Sequence, residues 1–309
     1  MNRNLIAYIE LTLAMAIVGS SVVVGKLLIA TFPVFLGAGL RFAIASMVLV
    51  PMLIGREKGI PSVSRKDWLF LFMQTLTGVF LFSIFLLYGL KWTTAAESGL
   101  ISSTTPGVLG LISFVFLRER MTLNKVMGIA FTLFGVIAIN LIDASGSVGR
   151  GSNPLLGNLL VFGAVVGEAL VTIFRKVVSE KVTPLMSATV MSVLGMVMFL
   201  PFAIYEARDF DWLRTTIADW VPVTYYGIVV TVVAFVLWFR GVSKVPASIA
   251  AVFTGVWPVS AVLLSYIVLK EHFVISHLLG AICVLLGIGF ISRESLETRA
   301  KQPIVKDSV

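Results

Sequence analysis

One acidic residue, Glu168, lies in the middle of a long apolar run of this sequence. A charge inside hydrocarbon costs about 2.5–3.5 kcal/mol even on the most lenient insertion scale, so such a residue needs a reason to be there. We expect Glu168 to be a protonatable carboxylate, or one that binds an ammonium group, in a central cavity. The alternative is a neutral or paired carboxyl group that only ties helices together.

A second charged residue, Arg41, lies about seven residues into another apolar run, and its long side chain could reach the membrane surface. It could pair with Glu97, which begins a later apolar run, or reach toward Glu168. The sequence leaves two interpretations open. Arg41 forms a structural ion pair, or its guanidinium recognises the carboxylate of a bound solute.

Hydroxyl side chains form a stripe along one predicted helix. Ser98, Ser102 and Thr105 are spaced by four and three residues, which places them on one face. Thr254 and Trp257 hold matching positions in a second copy of this segment, described below. We expect these residues to line a wet cavity that binds a small amphipathic solute. The alternative is that the hydroxyls hydrogen-bond their own backbone or a neighbouring helix.

Two further pairs of residues match between the copies. Gln74 aligns with Tyr226, and we expect both to line the same cavity. Pro106 aligns with Pro258, and each removes a helical hydrogen bond in the middle of an apolar run. We predict that the two prolines are gating points, and a packing kink without a gating role is the alternative.

Motifs of enzymes and metalloproteins are missing from the sequence. It contains no H-E-x-x-H, no G-x-S-x-G and no phosphate-binding P-loop. His272 and His277 are five residues apart, without further metal ligands nearby. We therefore predict no catalytic residue, no metal site, no cofactor and no direct use of ATP.

The composition explains why charged residues are so informative here. Hydrophobic residues make up 58% of the 309 positions and charged residues only 13%, which indicates an all-α integral membrane protein. Apolar runs long enough to cross a hydrocarbon core of about 30 Å as helices occur ten times. These runs are 5–28, 34–54, 68–90, 94–117, 123–142, 155–175, 184–205, 220–240, 246–269 and 273–292.

The loops between these runs predict an orientation. Lys and Arg concentrate in the loops on the side of the N-terminus, so we expect both termini in the cytoplasm and a multi-pass protein of the cell (inner) membrane. This topology accounts for the net charge of +8 without a nucleic-acid partner.

The segment 89–139 occurs twice. Adding 152 to the residue number carries Pro106 onto Pro258 and Glu119 onto Glu271, with no gap. A loop or helix-capping role is expected for the two glutamates. Each copy holds five predicted helices, an odd number, so the second copy must run inverted through the membrane.

The duplication divides the chain into parts. We predict a first five-helix repeat over 1–142, a Gly/Ser-rich linker over 143–154, a second repeat over 155–292 and a cytoplasmic tail over 293–309.

Taken together, these motifs resemble those of a known family. The chain from residue 5 to 292 resembles the EamA family of the drug/metabolite transporter superfamily. The resemblance rests on Pro106…Glu119-Arg-Met-Thr recurring as Pro258…Glu271-His-Phe-Val, and on Arg41 in Leu-Arg-Phe-Ala-Ile-Ala. His272-Phe-Val departs from the usual basic residue followed by Leu-Thr. The resemblance implies a transport core of helices one to four and six to nine, with the fifth and tenth packed beside it.

The expected function follows from the inverted repeat and the resemblance. We expect a secondary active or facilitative transporter that exports small organic metabolites, amino acids or related compounds, by alternating access. A broad-specificity drug exporter of the same fold is the alternative, and a membrane enzyme acting on lipids is a remote one. The expected partners are a small-molecule substrate, the lipid bilayer and, under proton coupling, protons. The sequence is compatible with a monomer or a homodimer.

Overall fold

The structure is a computed structural model, and its described residues form helices and no strand. The described residues are 3–57, 63–102, 104–117, 123, 126–128, 130–131, 134, 151–179, 181–242, 244, 253, 256–271, 278–279, 282–283 and 286.

The described residues form nine helices, which are numbered in chain order. They are α1 (Arg3–Thr31), α2 (Val34–Arg56), α3 (Arg65–Trp92), α4 (Ala95–Ser102), α5 (Thr105–Leu117), α6 (Pro154–Val177), α7 (Pro184–Arg208), α8 (217–242) and α9 (Val256–Val268). A short 3₁₀ turn, Trp212–Arg214, precedes α8.

Six of the described helices, α1, α2, α3, α6, α7 and α8, are long and apolar enough to cross a membrane. This confirms the predicted all-α membrane class. The predicted span 94–117 is two helices rather than one, because the backbone turns at Thr104 between α4 and α5. The predicted fifth and tenth spans lie almost wholly outside the described residues.

Helix starts follow local sequence signals. Asn153 accepts a hydrogen bond from the Leu156 amide at the start of α6. Thr183 accepts one from the Met186 amide at the start of α7. In both helices a proline occupies the first turn, where its missing N–H group costs nothing. Capping side chains thus satisfy amides that hydrocarbon would leave unpaired.

Helices from before residue 117 pack mainly against helices from after residue 154. The main contacts join α2 with α7 and α8, α3 with α6 and α7, α1 with α8 and α9, α4 with α6 and α9, and α5 with α6. Exchanging α1 with α6, α2 with α7, α3 with α8 and α4 with α9 leaves this set of pairs unchanged, apart from the contact of α5 with α6. The two parts of the chain therefore build one helix bundle instead of two separate ones.

Aromatic rings fill the contact between α2, α3 and α7. Phe42 stacks on Phe199 with ring centroids 5.9 Å apart, and Phe80 approaches the same ring at 4.8 Å. Phe35 stacks on Phe202 at 5.0 Å. Ring stacking adds to the van der Waals packing that holds helices together where lipid removes the hydrophobic drive between them.

Backbone irregularities occur at matching places in α3 and α8. Each helix contains a stretch of wide, π-helical turns, at Leu76–Leu81 in α3 and at Tyr225–Val233 in α8. Adding 152 to the residue numbers of the first stretch gives 228–233, which lies within the second stretch. Wide turns interrupt the regular phase of a helix and are frequent at functional sites.

Two glycines allow α3 and α6 to touch through their backbones. A Cβ atom on Gly89 would lie 2.9 Å from the Gly157 carbonyl oxygen, and one on Gly157 would lie 2.9 Å from the Gly89 oxygen. Any larger residue therefore forces the helices apart. This is how small residues promote helix association in membranes.

We predict that Gly157→Val destabilises the folded protein by roughly 1–3 kcal/mol, the usual cost of overpacking a tight contact. Thermal unfolding in detergent measures the change. Gly55→Val is the matched control, because a Cβ atom at Gly55 in α2 meets nothing within 4 Å. Equal stability of the two variants would contradict the close α3–α6 contact.

Candidate functional site

Two adjoining cavities lie inside the helix bundle. The larger has a volume of about 530 Å³ and the smaller about 340 Å³. Six residues line both and so form their common wall. They are Val18, Glu168, Val230, Thr231, Phe235 and Trp257. Volumes of this size are typical of sites for small organic molecules.

Glu168 lies where the two cavities meet. Its carboxylate oxygen Oε2 is 2.9 Å from the hydroxyl of Thr105 on α5. Among the described residues, no cation lies within ion-pair distance of this carboxyl group. α6 therefore presents an acidic group to the cavities with a hydroxyl as its neighbour. Within the part of the chain that the structure describes, its second oxygen is available to a bound molecule.

Arg41 lines the smaller cavity from α2, and only 7% of its surface is exposed. Its guanidinium lies over the Tyr226 ring at 4.0 Å and over the Phe42 ring at 4.3 Å. Its Nε and Nη1 atoms are buried without a hydrogen-bond partner in the described part of the chain. Cation–π contacts hold the group in place, and two of its nitrogens find no acceptor among the described side chains and backbone.

The pair of Arg41 with Glu97 that the sequence suggested does not form. Glu97 is fully buried and instead accepts hydrogen bonds from the Asn158 amide and the Thr93 hydroxyl. These contacts join the start of α4 to α6. Arg41 therefore faces the smaller cavity without a carboxylate partner among the described residues.

The other predicted site residues divide into two groups. Ser102 and Thr105 line the larger cavity, Tyr226 lines the smaller one, and Trp257 lines both. The indole Nε1 of Trp257 is buried without a hydrogen-bond partner in the described structure.

Two predicted residues are buried but line neither cavity. Gln74 is 1% exposed, and its amide nitrogen has no partner among the described residues. Ser98 donates to the Thr94 carbonyl at 2.8 Å, which is the backbone bonding that the sequence had left as an alternative. Thr254 lies outside the described residues.

Several cavity residues were not predicted from the sequence. Thr172 lies one helical turn after Glu168, so helical spacing alone could have found it. Thr231 lies in the wide turns of α8, where its hydroxyl donates to the Tyr226 carbonyl at 2.9 Å. No regular helical spacing signals that position. The remaining unpredicted polar and aromatic lining residues are Ser21, Phe42, Phe82, Ser192, Phe235 and Trp238.

The two prolines directly follow cavity residues in the sequence. Pro106 follows Thr105 and is the second residue of α5, after the break at Thr104. Pro258 is buried in α9 and follows Trp257. Their gating role stays a prediction.

Helix α1 carries an ion cluster toward each of its ends. Near its start, Glu10 pairs with Lys244 and with Arg240, whose Nη2 atom lies 3.2 Å from Glu10. Near its end, Lys26 pairs with Glu271 at 2.9 Å. The cavity residues of α1 lie between these clusters.

Glu271 also caps a helix, as the sequence suggested. Its two oxygens accept hydrogen bonds from the amides of Ala95 and Ala96 at 2.8 and 3.0 Å. These are the first amides of α4, where the helix dipole favours a negative charge. The carboxylate therefore joins α1, α4 and the chain after α9. Its repeat mate Glu119 lies outside the described residues.

No group of three or more His, Cys, Asp or Glu side chains that could hold a metal ion occurs within the described residues. The acidic and basic groups of the cavities, Glu168 and Arg41, come from different helices and lie among aromatic and hydroxyl side chains. Such a lining can bind a small molecule through charge, hydrogen bonds and ring contacts.

Comparison with known proteins identifies the family. The sequence model of the EamA-like transporter family matches residues 5–141 and 155–293. The chain belongs to the EamA-like transporter family.

Relatives of this EamA-like transporter carry corresponding names. An "uncharacterized transporter YetK" of Bacillus subtilis (strain 168) is 50% identical over 282 residues, covering 91% of this chain and 85% of its own. An "uncharacterized transporter" of Archaeoglobus fulgidus is 28% identical, covering 83% of this chain and 88% of its own. A crystal structure of a protein that is 19% identical aligns with a TM-score of 0.63 over 97% of this chain and 99% of that one, which indicates a shared fold.

Family membership establishes the general class. The protein is a multi-pass membrane transporter, not an enzyme, and it acts on small molecules from within a lipid bilayer. The cavities inside the helix bundle are the candidate site for that activity.

We predict that Glu271→Gln destabilises this EamA-like transporter by roughly 1.5–3 kcal/mol, the value of a hydrogen bond to a charged group. Gln keeps one acceptor oxygen but no longer neutralises Lys26. Thermal unfolding in detergent measures the loss. Arg214→Gln is the control, because its ion pair with Asp211 is 87% exposed on the Arg side and contributes little. Equal unfolding temperatures for the two variants would argue against the cluster.

Proposed function

We propose that this EamA-like transporter is a secondary transporter that exports small organic metabolites, amino acids or related compounds, by alternating access. The observation that carries the proposal is the presence of Glu168 and Arg41 in the lining of one cavity. A zwitterionic solute needs an acidic and a basic group at the same site, and both are present here without a charged partner among the described residues.

The arrangement matches the chemistry of an amino acid. The Glu168 carboxylate would bind the ammonium group, and the unpartnered nitrogens of Arg41 would bind the carboxylate. Apolar residues of the larger cavity, among them Leu109, Phe235 and Trp238, would receive the side chain. Burying the two charges is costly without a ligand, so a ligand that neutralises both gains affinity.

Helix packing supports the proposed inverted repeat of two five-helix units, 1–142 and 155–292, joined by the linker 143–154. The helix pairs are those expected if one unit repeats the other, and the wide turns of α3 and α8 fall at matching positions. Two units of five spans each would place both termini, including the tail 293–309, on the same side of the membrane. The excess of Lys and Arg in the loops on that side identifies it as the cytoplasmic side of the cell (inner) membrane in this proposal.

The ion clusters of α1 suit alternating access. In the proposed topology the Glu10 cluster lies at the cytoplasmic end of α1 and the Lys26–Glu271 pair at the outer end. The cavities lie between them, so breaking one cluster at a time would open the site to one side. The proposed gating points are Pro106 in the first turn of α5 and Pro258 in α9.

A second function, a broad-specificity drug exporter, is favoured by one observation. Most of the larger cavity is lined by apolar and aromatic residues, including Phe235, Trp238 and Trp257. Aromatic faces bind hydrophobic cations through cation–π contacts. Transport of a panel of amino acids, nucleosides and lipophilic cations by the wild type and by Arg41→Gln separates the two functions. Only the metabolite exporter requires Arg41, so the substitution should impair amino-acid transport and leave transport of lipophilic cations unchanged.

We predict that Glu168→Gln abolishes uptake driven by a pH gradient in proteoliposomes, because Gln cannot exchange a proton. Uptake of radiolabelled amino acids at imposed pH gradients measures the effect. Exchange without a pH gradient should persist if the protein is a facilitative transporter. An unchanged dependence on the pH gradient would remove the proton-coupling role from Glu168.

We predict that Arg41→Gln weakens binding of an amino acid by about 10–100-fold, which corresponds to one hydrogen bond to a charged group. Binding of the corresponding amine, which lacks the carboxylate, should change little. Arg56→Gln, an exposed arginine at the end of the same helix, is the control. Equal loss of amino acid and amine binding would contradict carboxylate recognition by Arg41.

A further inference from the structure

The hydroxyl group of Thr105 stands between two oxygen atoms. Its Oγ1 atom is 2.7 Å from the Ser102 carbonyl oxygen and 2.9 Å from Oε2 of Glu168. A hydroxyl carries one proton, and a backbone carbonyl can only accept. If Thr105 donates to Ser102, the contact with Glu168 is a hydrogen bond only when the carboxyl group is the donor. Both bonds therefore exist together only when Glu168 is protonated.

The Ser102 carbonyl depends on this hydroxyl because of Pro106. In a continuous helix the amide of residue 106 would donate to the carbonyl of residue 102, but proline has no N–H group. The backbone instead turns, and the Gly107 and Val108 amides both donate to the Thr104 carbonyl. The Thr105 hydroxyl replaces the missing donor at the point where α4 ends and α5 begins.

We propose that Thr105 is a positioning residue that ties the protonation state of Glu168 to the break between α4 and α5. The inference rests on the proposed transport function, to which it assigns a coupling element. When the carboxyl loses its proton, the carboxylate attracts the Thr105 proton, since hydrogen bonds to ionised groups are about twice as strong as neutral ones. The Ser102 carbonyl then loses its donor, and the break rearranges to satisfy it.

Glu168 is the one carboxyl group that the described residues contribute to the two cavities. The only other titratable side chains that they contribute are Arg41 from α2 and Tyr226 from α8. Within the described structure, α1, α3, α4, α5, α7 and α9 contribute no titratable group to these walls. Glu168 is therefore the acidic group whose loss of a proton the test follows.

The test measures the position of α5 relative to α6 in the full-length protein in nanodiscs. Val115 and Val177 are exposed near the ends of α5 and α6. Nitroxide labels are attached to the substitutions Val115→Cys and Val177→Cys in a Cys283→Ser background. Double electron–electron resonance spectroscopy measures the distance between the labels at acidic and at alkaline pH. In this background and in Thr105→Ser, we expect the mean distance to change with pH by about 1–2 Å or more, the size of known helix shifts.

Two variants should abolish this change in different ways. Thr105→Val keeps the shape of the side chain but has no hydroxyl, so the distance should no longer depend on pH. In Glu168→Gln the amide can donate to Thr105 as the protonated carboxyl does, so the distance should stay at its low-pH value at every pH. The glutamine variant tests the inference even where the valine variant fails to fold.

Several outcomes would overturn the inference. They are a constant distance in the background protein, a pH-dependent change that survives in Thr105→Val, and a loss of the change in Thr105→Ser. Transport assays on the same variants separate this inference from the proposed function. A distance change that needs the hydroxyl, in a protein that carries no metabolite, contradicts the proposed function alone. Metabolite transport together with an unaltered response in Thr105→Val contradicts the inference alone.

Discussion

The structure depends on the lack of water in hydrocarbon, where each backbone and charged group must find its partner within the protein. Regular helices satisfy this condition without help from side chains. Three departures from helical regularity, the break at Thr104 and the wide turns of α3 and α8, lie on or beside the two cavities. Irregular backbone at membrane depth is tolerated where protein or a cavity surrounds it. The cavities and the irregular segments are therefore two consequences of one constraint.

The same constraint determines how much of the fold could be predicted. Apolar length and composition predict the spanning helices, because a helix is the one chain conformation that crosses a bilayer alone. A charge within such a run predicts a cavity or a partner, and Glu168 and Arg41 both line cavities. The helix break was predicted less well: Pro106 indicated a kink in one span, but the structure contains two helices. The extra turn is stabilised by the Thr105 hydroxyl and the Thr104 carbonyl, a tertiary detail that spacing cannot reveal.

Sequence spacing was least successful at assigning helix faces. Ser98, Ser102 and Thr105 would form one stripe on a continuous helix, yet only Ser102 and Thr105 line the larger cavity, and the helix is interrupted between these two residues. Gln74 lies two residues before the wide turns of α3, and Thr231 lies within those of α8. A wide turn shifts the phase of all residues beyond it. A prediction that assumes regular periodicity thus misplaces side chains near the functional site.

The two copies of the repeated segment contribute different side chains to the cavities. Thr105 and Trp257 hold equivalent positions in the two copies, and both line the larger cavity. One copy thus supplies a hydroxyl that can share a proton with Glu168, and the other supplies a broad aromatic face. Equivalent backbones give the two units similar ways to move, which alternating access requires. Differing side chains place the Thr105–Glu168 contact between α5 and α6, while Arg41 lies on α2. A proton and the ammonium group of a solute would therefore act on the same Glu168 carboxyl group.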